Sequence, residues 1–212
     1  MSLHINWVGH ACFKLVTPEL TIVTDPLDKD TGYNPPRTSA DVVLVSSSNP
    51  HHSYVESVKD EPIVFDGPGE YEVKGSLIHG IPSKGPSDHP ANTIYVFRME
   101  GIRLCHLGAL SETLSSEQLE SIGNVDVLFL PAGMPDALSY KHAAEMMNAI
   151  DPRIVIPYGY KTAKSALKGV EEPKVFLKEM GMTDAEKAPK AVLKSNQLPA
   201  DETKVMLLEA QG

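Results

Sequence analysis

The His51-His52 pair is the part of the sequence best suited to chemistry. It follows a Ser-Ser-Ser-Asn-Pro sequence that separates an apolar run at 42–45 from a short segment with a helix-like pattern. Imidazole nitrogens bind metal ions and transfer protons near neutral pH, whereas Ser47 and Asn49 are neutral oxygen donors that zinc seldom selects. The pair therefore indicates either metal binding or a polar helix start, with one ring on a backbone carbonyl and the other in solvent.

A serine nucleophile is a second reading of the same segment. The serines at 46–48 precede the two histidines, and Asp25 could orient one of the rings in a Ser-His-Asp relay. The sequence contains no Gly-x-Ser-x-Gly elbow, so it does not favour this chemistry. Cys12 and Cys105 lie in apolar runs, which indicates buried, reduced thiols rather than disulfides or zinc ligands.

The charge balance limits the classes of partner. The 212 residues include 19 basic and 28 acidic side chains, and the net charge of -9 works against binding to nucleic acid or anionic membranes. The first residues lack the pattern of a signal peptide, and no apolar run approaches the ~18 residues of a membrane span. We expect a cytoplasmic protein with one domain over residues 1–212, whose partner is a small molecule.

Strands dominate the first hundred residues, and strands alternate with helices afterwards. Residues 82–90 indicate a flexible loop, and residues 185–200 a polar connection before the last strand. Mixed order of this kind predicts sheets covered by helices, with a site among the loops at one sheet edge. The predicted strands are 5–8, 12–16, 20–24, 42–45, 63–65, 71–73, 77–81, 93–97, 102–106, 125–130, 154–157 and 205–208, and the predicted helices are 116–122, 138–150, 163–170 and 175–180.

Several long motifs in order give the chain a resemblance to a known family. They are NWVGHACFKL at 6–15, TDP at 24–26, GPGEYEVKG at 67–75, NTIYVF at 92–97, IRLCHLGALSETLSSEQL at 102–119, VDVLFLPAG at 125–133 and DPRIVIPYGY at 151–160. Over residues 3–162 the chain resembles the metallo-β-lactamase superfamily, in the branch that includes the ascorbate-6-phosphate lactonases and zinc-dependent hydrolases of the β-lactamase fold. The resemblance implies an α/β fold of αββα type, in which two mixed sheets are packed between helices.

The resemblance also implies where metal ligands should stand. The family motif His-x-His-x-Asp-His falls on Ser47, Asn49, His51 and His52, so one of its four positions matches. Three more family ligands fall at about Gly85, on Ala109 and on Gly159. The alignment of the loop around Gly85 is open, so Asp88 or His89 could take the place of that ligand. Alanine and glycine side chains cannot bind a cation.

Further pocket residues follow from the resemblance. It implies that His10 lies near the pocket floor, although a core histidine bonded to a neighbouring strand is an equal alternative. Asp25 matches an aspartate that orients metal ligands, yet a turn role before proline is favoured once the ligands are absent. Tyr158 and Tyr160 either line the emptied pocket or pack at a strand end.

Two functions remain open at this point. The favoured one is a hydrolase homologue with a degraded two-metal site that binds a small molecule or serves as a partner subunit. The other is a hydrolase of a phosphoester, lactone or similar bond in which His51, His52 and a loop residue such as His89 hold one metal ion, zinc before others.

Overall fold

The computed structural model describes residues 1–135, 137–182 and 185–212, and these residues form two β-sheets packed face to face. The first sheet has six strands in the order β13-β1-β2-β3-β4-β5. Strands β1 to β3 are antiparallel, and β3, β4 and β5 are parallel. The bounds are β1 Leu3–Gly9, β2 Cys12–Val16, β3 Thr21–Thr24, β4 Val42–Leu44, β5 Ile63–Phe65 and β13 Ala191–Leu193.

The second sheet has eight strands in the order β12-β14-β11-β10-β9-β8-β7-β6. Its β6 to β9 part is antiparallel, and its β9-β10-β11-β14-β12 part is parallel. The bounds are β6 Gly69–Val73, β7 Ser76–Lys84, β8 Ala91–Met99, β9 Ile102–His106, β10 Val127–Pro131, β11 Ile154–Tyr158, β12 Glu186–Ala188 and β14 Lys204–Leu208.

The main core lies between the two sheets. Strand β1 illustrates how the sequence forms this core. Burial alternates residue by residue along the strand, so the side chains of Leu3, Ile5 and Trp7 all face inwards. The rings of Phe13 and Phe129, one from each sheet, lie with centroids 4.6 Å apart. Burying such aromatic side chains supplies a large part of the hydrophobic stabilisation.

Among the described residues, four α-helices flank the sandwich. The bounds are α1 Pro50–Ser53, α2 Ser116–Ile122, α3 Tyr140–Ile150 and α4 Pro173–Glu179. Helix α2 begins with a capping box between Ser115 and Gln118, and with α3 and α4 it packs on the second sheet. The expected αββα architecture is confirmed. Within the described ranges, no helix is long and apolar enough to cross a membrane.

The carboxyl ends of the parallel strands meet at one edge of the sandwich. Asp25 follows β3 directly, Ser46 comes shortly after β4, His106 ends β9 and Gly159 follows β11. The turn between β1 and β2 brings His10 to the same edge, where the carbonyl of His10 accepts the Gly159 N–H at 3.2 Å. The fold thus gathers residues from distant parts of the chain.

Three predictions about segments were wrong. Residues 163–170 form turns rather than a helix, because Ala166 N–H donates to the Thr31 carbonyl and Ser165 Oγ lies 2.8 Å from the hydroxyl of Tyr33. The predicted connection at 185–200 contains β12 and β13, which pair with β14 and β1. The predicted loop at 82–90 is strand up to Lys84, so the turn covers only residues 85–90.

Candidate functional site

Asp25 is the centre of the hydrogen-bond network at this edge. Its Oδ1 accepts the backbone N–H of Ser46 at 2.7 Å, and its Oδ2 accepts the Ser46 hydroxyl at 2.8 Å. The same Oδ2 lies 3.0 Å from His52 Nδ1 and 2.9 Å from His106 Nε2. The residue is fully buried and its backbone has φ 40°, a left-handed conformation. Asp25 therefore has a structural role at the end of its strand, and it holds a hydrogen-bond network there rather than a simple turn.

The electrostatics of Asp25 favour its ionised form. Burial opposes ionisation, but the charge of His52 and the hydrogen bonds from His106 and His52 outweigh it and hold the pKa of the carboxyl well below its usual range. A carboxylate that accepts several N–H and O–H hydrogen bonds fixes the orientation of the imidazole rings that donate to it. His52 and His106 are thus oriented by one buried charge.

His10 and His52 form a second link of the network. Their Nε2 atoms lie 3.2 Å apart, and both side chains are buried. Since Asp25 accepts the Nδ1–H of His52, the Nε2 of a neutral His52 is an acceptor for the Nε2–H of His10. Burial, followed by the charges of His52 and His51, lowers the pKa of His10 well below its ordinary value, and a neutral ring suits this role.

His51 is held by a different carboxylate. Its Nδ1 lies 3.0 Å from Asp28 Oδ1, and both side chains are partly exposed. The side chain of Asn49 caps α1 by accepting the His51 backbone N–H at 2.9 Å, which fixes the helix start. Neither ring of the His51-His52 pair bonds to a backbone carbonyl or points freely into solvent, so the expectation of a plain polar helix start was wrong.

A cavity of about 230 Å³ opens above these side chains. Its polar wall comes from the network and from the segment after β4, and its apolar wall comes from the turn after β10. The lining consists of His10, Ser47, Asn49, His51, His52, Pro86, Asp88, His89, Ala109, Met134, Pro135, Ala137, Leu167 and Lys168. Five of the seven positions that the family resemblance assigns to metal ligands, 47, 49, 51, 52 and 109, therefore converge on one cavity.

The loop at 85–90 contributes to the rim. His89 Nδ1 lies 3.4 Å from Ser48 Oγ, and Asp88 lines the same cavity. Gly85, the approximate position of a family ligand, is instead bonded by its N–H to the Pro90 carbonyl at 3.0 Å. His89 therefore lines the cavity together with His51 and His52.

Gly159 lies beside the cavity rather than in its wall. It lines a much smaller adjoining space with His10 and Tyr160. Its φ is +73°, and a Cβ atom added there would lie 2.3 Å from Met134 Cγ. The side chain of Met134 thus occupies the space that a larger residue at 159 would need.

The two tyrosines have packing roles. Tyr158 is fully buried and donates its hydroxyl to the Gly108 carbonyl, and Tyr160 donates to the Leu208 carbonyl at 2.9 Å. Burial raises the pKa of both phenols, which keeps them protonated. Neither lines the main cavity, so the alternative of packing at a strand end is the one that the structure supports.

Three participants escaped sequence-based reasoning. Asp28 was not singled out, Ser46 was considered only as part of a serine relay, and His106, which is buried in the core, also contacts Asp25. The Nδ1 atom of His106 is buried and has no hydrogen-bond partner among the described residues. The position of Asp28 three residues after Asp25 was the available signal, but nothing local linked it to His51.

The thiols stay outside the site's chemistry. Cys12 and Cys105 are buried and free, and burial raises the pKa of each. A protonated thiol is a poor nucleophile and a poor metal ligand. This agrees with the sequence-based expectation of buried, reduced cysteines.

Comparison with known proteins gives consistent results. The profile of the beta-lactamase superfamily domain matches residues 4–159. A UPF0173 metal-dependent hydrolase of Archaeoglobus fulgidus is 23% identical, with 85% of this chain and 93% of that protein covered. A candidate Zn-dependent hydrolase of the metallo-beta-lactamase superfamily from Thermotoga maritima is 36% identical, with a TM-score of 0.81 and 98% of each chain covered. A metallo hydrolase of Ignicoccus hospitalis shares the fold, with 14% identity, a TM-score of 0.69, and 92% of this chain and 99% of that one covered.

Proposed function

The chain belongs to the metallo-beta-lactamase superfamily, and the relatives that it resembles there include metal-dependent hydrolases. Within that family, we propose that the chain binds a small molecule without two-metal hydrolysis. The binding site is the cavity at which most of the family's ligand positions converge. The observation that carries the proposal is the character of the cavity wall. Where the family resemblance calls for metal ligands, this wall presents Ser47, Asn49 and Ala109.

The donor set does not fit a two-metal centre. Ala109 offers no donor atom, and Gly159 has neither a side chain nor space for one. Among residues 1–135, 137–182 and 185–212, no group of three or more His, Cys, Asp or Glu side chains is arranged to hold a metal ion. A catalytic zinc ion needs three protein ligands and an open position.

A hydrogen-bonded chain of side chains forms part of the polar wall of the cavity. Asp25 bonds to His52, and His52 bonds to His10, so both nitrogens of the His52 ring have partners within the protein. A metal ion would have to displace His10 from His52 Nε2 or share both rings. The arrangement therefore supports a site that is stable without an ion.

One observation keeps the single-metal hydrolase as the second candidate. The 3.2 Å between the Nε2 atoms of His10 and His52 is also the spacing of two imidazoles on one tetrahedral ion. The sequence-based version of this site paired His51 with His52, whereas the structure brings His10 to His52 and bonds His51 to Asp28. Two ring nitrogens are too few for a catalytic site, so binding remains the leading proposal.

The cavity suits a small molecule with a polar end and an apolar body. Ser47, Asn49 and the imidazoles supply hydrogen-bonding groups on one wall, and Met134, Pro135 and Leu167 supply apolar surface on the other. Binding pockets commonly combine a largely apolar lining with a few convergent polar groups. We also propose a cytoplasmic location, which the buried, free thiols support.

Metal analysis and a substrate panel test the two candidates together. Untagged protein is assayed for bound Zn, Mn, Fe and Ni, and then for cleavage of a phosphodiester, a lactone and a thioester with added metal. Substoichiometric metal and an inert panel are expected. Stoichiometric metal that disappears in His52→Ala, together with turnover, would replace the binding proposal with the single-metal hydrolase.

Binding itself is tested by a thermal-shift screen of polar metabolite-sized compounds. A ligand at a hundred times its Kd stabilises the folded state by about 2.7 kcal/mol, which raises Tm measurably. Ala109→Phe should fill the cavity and abolish the shift, whereas Ala200→Phe, at an exposed position outside the cavity, should leave it unchanged. A shift that survives Ala109→Phe would place the ligand elsewhere and refute the proposal.

A further inference from the structure

The outer face of the second sheet has an ordered row of charges near its free edge. Glu72 on β6 is paired with Leu77 on β7, and Arg98 on β8 is paired with Arg103 on β9. Val96 is paired with His79, and side chains two residues apart in a strand share a face, so Leu77 and Arg98 lie on the same face. Across the strands the row reads acidic, apolar, basic, basic.

This face is open to solvent. Leu77 is 65% exposed, more than any other large apolar side chain of the described residues except Met1, and Glu72 and Arg98 are exposed as well. Beside Leu77 lies a groove of about 270 Å³, whose lining includes Glu70, His79, Arg98 and Arg103. This face therefore combines one exposed apolar side chain with charged groups around an open groove.

The charges of the row lack opposite partners. Within the described residues, Glu70, Glu72 and Arg98 form no ion pair closer than 4.0 Å. Arg103 donates from Nη2 to the Ile122 carbonyl at 2.8 Å, but in the described part of the chain its buried Nε has no acceptor. Two arginines directly opposite each other on neighbouring strands also repel.

We propose that this face is the interface of a symmetric dimer formed with a second copy of the chain. The two-fold axis of this dimer lies parallel to β7 and above Leu77, so that the second sheet of one subunit faces the second sheet of the other. Leu77 then meets Leu77 of the partner subunit, and Glu72 meets Arg98 of the partner subunit. The reverse contact, Arg98 against Glu72 of the partner subunit, follows from the symmetry.

Charge complementarity selects a second copy as the occupant. Neighbouring strands are ~4.8 Å apart, so Glu72 and Arg98 lie at about equal distances on either side of Leu77. Rotation about an axis above Leu77 therefore exchanges an acidic position with a basic one. Two chains of net charge -9 repel at long range, so they need such local matching in order to associate.

The contact is closed, because each subunit uses the same patch and no further copy can add. The opposite edge of this sheet ends in β12, and the cavity above Asp25 lies on the carboxyl side of the parallel strands. The proposed interface is therefore separate from the small-molecule site, and either proposal can fail alone.

Sedimentation equilibrium with charge-swap variants tests the dimer. Arg98→Glu and Glu72→Arg each create two like-charge contacts per dimer, so each single variant should raise the dimer Kd at least about tenfold. The double variant restores opposite charges and should return Kd to within about threefold of wild type. Lys194→Glu, at an exposed position beside β13, makes the same change of charge and should leave Kd unaltered.

Three results would overturn the dimer. They are a wild-type chain that is monomeric throughout the micromolar range, an Arg98→Glu variant that dimerises as tightly as wild type, and a double variant as weak as the singles. Far-UV circular dichroism and Tm establish that each variant is folded. If Arg98→Glu does not fold, Arg98→Gln removes the charge with little change of shape, and it should still weaken the dimer.

Discussion

His52 Nδ1 lies 3.0 Å from Asp25 Oδ2, and the two side chains form a pair that is almost completely buried. Burial of the ionised Asp25 carboxylate costs free energy, and the hydrogen bonds that it accepts offset this cost. Removal of the carboxylate has a strong effect, since the donors that surround it are left buried without their acceptor. The contact between these two residues therefore makes the site sensitive to single substitutions.

Asp25→Asn should destabilise the protein strongly. The amide keeps the shape of the carboxylate but removes the charge that His52, His106 and Ser46 surround, and the expected loss is about 3 kcal/mol in the free energy of unfolding. Asp28→Asn provides the control, because the pair of Asp28 with His51 is partly exposed and should contribute less than about 1 kcal/mol. Urea denaturation measures both, and equal losses would contradict the central role of Asp25.

His10 should make stability depend on pH. Its pKa is lowered in the folded state by burial and by the charges of His52 and His51, so below about pH 6.5 the unfolded chain takes up a proton that the folded chain does not. The free energy of unfolding should then fall as the pH is lowered from 7 to 5, by up to about 1.4 kcal/mol per pH unit from this group.

His10→Asn is the matched variant for this measurement. Asparagine tolerates the left-handed backbone found at His10, where φ is 48°, and it does not titrate. The slope of stability against pH between 7 and 5 should become shallower in this variant. An unchanged slope would mean that His10 is not the group responsible.

Restoration of side chains at four positions should create a metal site. The combined variant Ser47→His, Asn49→His, His51→Asp and Ala109→Asp places ligands at cavity positions that already converge. We expect it to retain zinc in near-stoichiometric amounts, whereas the wild type does not, as measured by inductively coupled plasma mass spectrometry. Addition of His52→Ala should reduce the retained zinc, and a folded variant that holds none would show that our assignment of the positions is wrong.

Gly108→Ala should damage the site through sterics. An added Cβ would lie 2.4 Å from Ser46 Cβ and 2.5 Å from Asn92 Oδ1, at a backbone φ of +63°. Gly75→Ala is the control, since φ is +76° there and nothing lies within 4 Å of the new atom. Thermal unfolding should show a loss of roughly 1 kcal/mol from backbone strain at Gly75 and a clearly larger loss at Gly108.

The order of the strands could be predicted from the sequence because each strand has a local apolar pattern. The cavity positions could be predicted because the chain shares motifs with a known family. Apolar runs such as 42–45 identify strands, and the motif frame correctly placed Ser47, Asn49 and Ala109 at one cavity. The contact of Asp25 with His106 joins residues far apart in the chain and leaves no local pattern. At 163–170 a helix-like pattern yielded to long-range hydrogen bonds with Thr31 and Tyr33, which only the folded chain reveals.

The packing of Met134 against Gly159 links the residue types that these two positions can accept. A Cβ atom added at position 159 would lie 2.3 Å from Met134 Cγ, at a backbone φ of +73°, so a larger residue there requires Met134 to move. Shortening Met134 alone would instead leave a gap beside β11. Substitutions at the two positions should therefore be energetically coupled, and a change at one should be tolerated best together with a change at the other.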